Sequence, residues 1–126
     1  MAGRAKELIW IGSSLEDLKS FPEAARKATG FALRAAQERF KAVSAKPLRG
    51  FGGASVLEIV ENRDGDTYRA VYTVNFEEAV YVLHCFKKKS KSGIATPKQD
   101  LDLVKQRFRA AQQEHKKWQE EQKSKK

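Results

Sequence analysis

The densest chemical signal in the chain is Phe86-Lys87-Lys88-Lys89-Ser90-Lys91, where an apolar segment ends in three consecutive lysines and a fourth two positions on. Clustered ammonium groups at a strand end suit a phosphate, and a solvated or edge-protecting strand end explains the run equally well. Alternation along a strand sends Lys87 and Lys89 to one face and Lys88 to the other, so only part of the run can converge on one phosphate. Arg69 is the second signal. It lies inside Thr67–Val74, where alternation groups it with Val71 and Thr73, away from Tyr68, Ala70 and Tyr72. A mid-strand guanidinium must pair with a carboxylate or face a polar groove, because burying it unpaired is costly. Glu58 and Glu61 on the preceding strand are the candidate partners, and the pattern alone favours a structural ion pair. Lys46 and Arg49 flank Pro47 and Leu48 just before Gly50, Gly52 and Gly53, beside a loop whose backbone amides can approach a phosphate. No Gly-Lys-Ser/Thr follows at Walker spacing, and a plain connecting loop also fits that composition.

The remaining reactive side chains point to packing. His84 falls on a strand face with Val80, Val82 and Phe86, and His115 on the apolar stripe of the last helix, so both are expected to be structural. Cys85 alternates with Leu83 and Tyr81, as a buried small apolar residue would. With no Cys/His cluster and no grouped carboxylates at ligand spacing, neither a metal nor a cofactor is expected. A single cysteine excludes an intramolecular disulfide. The N-terminal apolar run is too short for a signal-peptide core or a membrane span, so the expectation is a cytoplasmic protein away from the membrane. Against 16 Asp+Glu stand 25 Lys+Arg, a net charge of +9 and a pI of about 9.8, which favour a polyanion or an acidic protein as partner.

Elements that position these residues follow from periodicity and punctuation. Residues 6–11 read as a strand ended by Gly12, and Ser13 with Glu16 has capping-box spacing. Ser20, Pro22 and Glu23 start a second helix, expected over 22–43 with Ala25, Ala28, Ala32, Ala36, Phe40 and Val43 on one side. The Gly- and Pro-rich stretch 45–55 reads as a loop. Strands are expected over 55–62 and 67–74, joined by the hairpin signal Asp64-Gly65, with another over 79–87. Pro97 opens a last helix carrying Leu101, Val104, Phe108, Ala111, His115 and Trp118 at helical spacing. The order predicts an α+β domain spanning 1–126, with helices on one face of a mostly antiparallel sheet and 114–126 a charged tail prone to fraying.

Several pieces in order carry a resemblance: Pro47-Leu48-Arg49-Gly50-Phe51, a glutamate in the next strand, Tyr68-Arg69-x-x-Tyr72, His84-x-Phe86-Lys87-Lys88, and Thr96-Pro97 before a helix. From residue 6 to the start of the last helix the chain resembles the phage-derived, HigB-like branch of the RelE/ParE toxin superfamily. The resemblance implies the RelE-like microbial-RNase fold, with an N-terminal helix pair and a C-terminal helix. It also implies the toxin of a type II toxin–antitoxin system, a metal-independent endoribonuclease that cleaves mRNA on the ribosome and inhibits translation. A cognate antitoxin of helix-turn-helix type would restrain it. Arg69 would match the family arginine at the scissile phosphate, Lys87 and Lys88 the catalytic basic residues, and Lys46, Arg49, Lys89 and Lys91 the RNA-binding cations.

Ribonucleases without a metal use the RNA 2′-hydroxyl as nucleophile and need a proton acceptor, a proton donor and cations around the phosphate. Under the resemblance, one of Lys87, Lys88 or Lys46 would be the acceptor, its basicity lowered by its neighbours. Some relatives carry a tyrosine or histidine near the C-terminus as the acid. Here only His115 and Trp118 lie there, and the donor is unassigned. Other expectations compatible with the sequence are a ParE-like gyrase poison and a nontoxic, basic nucleic-acid-binding phage protein.

Overall fold

In the computed structural model, which describes residues 4–51, 53, 55–89 and 96–124, the chain runs β1 (Glu7–Trp10), α1 (Ser14–Lys19), α2 (Glu23–Gln37), β2 (Ala45–Pro47), β3 (Val56–Arg63), β4 (Asp66–Thr73), β5 (Ala79–Lys89) and α3 (Lys98–Ser124). The strands form one sheet in the order β1-β5-β4-β3-β2. Every pairing is antiparallel except that of β1 with β5. Asp64 and Gly65 both adopt positive φ, 50° and 84°, in the two-residue turn between paired Arg63 and Asp66, the geometry that Asp-Gly favours between twisted strands.

The central strands are apolar on both sides, so the sheet must be covered twice. Leu57, Ile59, Ala70, Tyr72, Val80 and Val82 pack against Leu18, Phe21, Ala25 and Leu33 of the first two helices and their junction. Val56, Val71, Tyr81 and Leu83 pack against Val104 and Ala111 of α3. The expectation of helices on one face is thereby corrected: α3 lies opposite α1 and α2.

Three boundaries also differ. Helix α2 stops at Gln37, short of Val43, because Arg39 turns to a φ of 70° and Phe40 N–H donates back to Ala35 O at 2.8 Å. The Arg39 guanidinium is held there by Glu77 at 2.9 Å. Phe40 and Val43 are therefore exposed, not on a core stripe. Residues 45–47, expected in a loop, form a short strand whose Lys46 lies opposite Glu58. Residues 114–124 continue α3, pinned by His115, which meets Tyr81 Oη at 3.1 Å and Glu78 Oε1 at 2.7 Å and stacks on Trp118. At the start of α1, the Ser13 hydroxyl donates to Asp17 and accepts from no backbone amide of the helix.

Tyr72 is fully buried, its hydroxyl has no hydrogen-bond partner among the described residues, and burial pushes its pKa up to about 12. A buried donor left unmade costs about 1–3 kcal/mol. Tyr72→Phe is expected to leave the melting temperature unchanged or raise it, read by calorimetry; a fall of several degrees would show that the hydroxyl is satisfied in solution.

Candidate functional site

One irregularity in the sheet decides which side chains meet. Val71 pairs with His84 but Tyr72 pairs with Val82, so Leu83 is an extra residue in β5, a β-bulge. Arg107 of α3 donates to the bulged Leu83 carbonyl at 2.9 Å. A bulge resets the alternation. Before it Val80 and Val82 face the α1/α2 core and Tyr81 and Leu83 face α3. After it His84 and Phe86 share the α3 side, while Cys85 returns to the α1/α2 core. His84 therefore keeps company with Phe86, as expected, but on the face opposite Val80 and Val82.

On the α3 face, Arg69 Nη1 lies 3.1 Å from Glu58 Oε2, and the Thr96 hydroxyl is 3.5 Å from both. Arg69 is only 3% exposed, so its charge is neutralised inside the fold. Between the two carboxylates left open by the sequence, register chose Glu58; Glu61 lies on the other side, beside Arg63 at 3.6 Å. Glu58 lines a groove of about 350 Å³ together with Lys46, Pro47, Arg49, Thr96 and Leu101. Lys46 points there because it is the cross-strand neighbour of Glu58. The loop carrying Arg49 is tied down by Leu48 in the α3-side core and by an edge-to-face contact between Phe51 and Phe108. Gly50 takes a φ of +100°, which a side chain would strain, over Leu101.

Beside this pair, His84 Nε2 is 2.7 Å from Asp100 Oδ1, and the imidazole stacks on Phe86 at a centroid distance of 4.7 Å. Thr96 and Asp100 thus both come from the entry to α3, so one turn of chain touches both pairs. The sequence assigned neither a role at the site: Thr96 stood only in the Thr96-Pro97 element of the resemblance, before the helix, and Asp100 gave no signal apart from its place in the first turn of that helix.

The lysine run divides as alternation requires. Lys88 is opposite Thr67 on the Arg69 side, and Lys87 is opposite Tyr68 on the other, 3.9 Å from Asp66. The side chain of Lys89, and Lys91 entirely, lie outside the described residues. The structure therefore gathers Lys46 and Arg49 at the groove whose Glu58 pairs with Arg69, puts Lys88 on the same face of the sheet as Arg69, and puts Lys87 on the other face. Cys85 is buried, which pushes its thiol up to about 12 and away from the thiolate a nucleophile needs. Among the described residues no group of His, Cys, Asp or Glu is placed to hold a metal ion, and no helix is long and apolar enough to cross a membrane.

A groove with two exposed cations on its rim and a guanidinium-held carboxylate in its wall can bind a phosphodiester and accept a proton from a neighbouring hydroxyl. Residues 16–109 match a family profile described as Phage derived protein Gp49-like (DUF891). No curated protein matches the chain.

Proposed function

The chain belongs to the phage-derived Gp49-like family, in general a family of RelE/HigB-like toxins, and from that premise we propose that it is a toxin that cleaves mRNA without a metal. The observation that carries this is Glu58, oriented by Arg69 and lining one groove with Lys46 and Arg49. Lys46 and Arg49, joined by Lys88 from the strand end, hold the RNA backbone. Glu58 takes the proton of the 2′-hydroxyl as O2′ attacks phosphorus, a role that suits a carboxylate better than an ammonium group that must first lose a proton. Arg69, buried and turned to Glu58, is a positioning residue for that carboxylate. The partners in this reading are mRNA on the ribosome and an antitoxin of helix-turn-helix type that blocks the groove.

Induced expression in a bacterium tests the reading, with growth and mRNA 5′ ends followed together for the wild type and Glu58→Gln. Arrest with new 5′ ends in the wild type alone is the expected result. Arrest with DNA damage and intact mRNA would make the protein a gyrase poison, and growth unaffected by soluble wild-type protein would make it a nontoxic binder.

Phosphate contacts also leave a salt signature. For single-stranded RNA the log–log dependence of affinity on salt has a slope of about 0.7 per phosphate contact. Lys46→Ala and Arg49→Ala are each expected to reduce that slope by about this amount in filter binding, and unchanged slopes would remove both from the RNA path.

A further inference from the structure

The reaction as described has an acceptor for the 2′-hydroxyl proton but no donor for the departing 5′-oxygen. We propose that His84 is that donor, acting from Nδ1 while Asp100 holds Nε2; the assignment rests on the nuclease reading above.

Register places it. Val71 of β4 pairs with Glu58 on one side and with His84 on the other, so acceptor and donor flank a single residue on one face of the sheet. Two strand spacings separate their backbones, roughly 9–10 Å. Without the bulge at Leu83 the residue opposite Val71 would be Leu83 and His84 would face α2. Bulges recur where a strand must re-aim a side chain beside an active site.

The imidazole is held as a proton donor needs. Asp100 binds one nitrogen at 2.7 Å and Phe86 stacks against the ring, fixing its plane. His84 is 7% exposed, yet its Nδ1 is buried with no hydrogen-bond partner among the described residues. A buried polar atom of this kind calls for a function or a ligand, and a leaving oxygen brought to this face beside Val71 supplies the missing partner. The charged groups around the ring include Asp100 and Arg107 of α3, Arg69 of β4, Glu58 of β3, Asp17 of α1, and Lys87 and Lys88 on its own strand.

The step balances. The 2′-hydroxyl proton passes to Glu58 as the O2′–P bond forms; the P–O5′ bond breaks and O5′ leaves with the proton from His84 Nδ1. The products are a 2′,3′-cyclic phosphate and a 5′-hydroxyl, with Glu58 protonated and His84 neutral until solvent restores both.

A sulfur substitution separates a proton donor from a structural histidine. The full-length protein is given ribosomes programmed with a short mRNA in which O5′ of the cut linkage is oxygen or sulfur, because a thiolate leaves without protonation. His84→Gln is expected to lose about 10²–10⁴-fold on the oxygen substrate and to recover to within a few-fold of wild type on the sulfur substrate. Asp100→Asn, which leaves the imidazole in place, is expected to lose less on oxygen and to be rescued in the same way. Equal losses on both substrates in these two variants, or no loss at all, would overturn the assignment while wild-type cleavage leaves the nuclease reading standing. A wild type that cuts neither substrate overturns both.

Discussion

Glu58→Gln is expected to reduce RNA cleavage by about 10²–10⁴-fold in a protein that still folds. The amide keeps an oxygen for Arg69 Nη1, now 3.1 Å from Glu58 Oε2, and fills the same volume at the wall of the groove. What it loses is the ability to accept a proton. Stability is expected to fall by only about 1–3 kcal/mol, the cost of replacing a charge-assisted hydrogen bond by a neutral one around a buried guanidinium. Single-turnover cleavage beside a thermal melt separates the two effects. Full cleavage by folded Glu58→Gln would return the acceptor role to Lys46 or Lys88, the lysines on that face.

Arg69→Ala is expected to be the most destabilising single change, by about 3–5 kcal/mol, since it strands a carboxylate in the fold. Arg69 and Glu58 side chains are 4% and 11% exposed, so water cannot replace the lost partner without opening the groove. For a chain of this length that corresponds to a melting temperature lower by roughly 10–20 °C. Loss of activity in Arg69→Ala would therefore not show that Arg69 touches RNA. The double variant Arg69→Met/Glu58→Leu distinguishes pairing from packing: with both charges gone, stability is expected to return to near that of the wild type, since well-packed apolar replacements of buried pairs are often neutral or better. A double variant as unstable as Arg69→Ala alone would show that the site depends on the shape of the arginine and not on its charge.

Local physics was enough for much of this. The Asp64-Gly65 turn, the alternation of β4, the division of Lys87 from Lys88 and the need of Arg69 for a carboxylate each depend on residues adjacent in sequence and can be read from them. Lys46 and Arg49 were visible as a cationic pair beside a glycine loop, and the family order of motifs set them across from the lysine strand.

Tertiary structure decided the rest because those features depend on pairing between distant segments. Glu58 and Glu61 point to opposite faces of β3, and only the β3–β4 register shows that the face of Glu58 is the one Arg69 shares. Local preference does not show a bulge, yet one extra residue at Leu83 turns His84 from the α2 face to the α3 face, where Asp100 meets it. Placement of α3 follows from both faces of β4 and β5 being apolar, and that placement brings Thr96 and Asp100 to the two pairs. Sequence determined which charges the chain carries and which need a partner; packing of the sheet and α3 determined which partner each received, because strand register and layer order are properties of the whole fold.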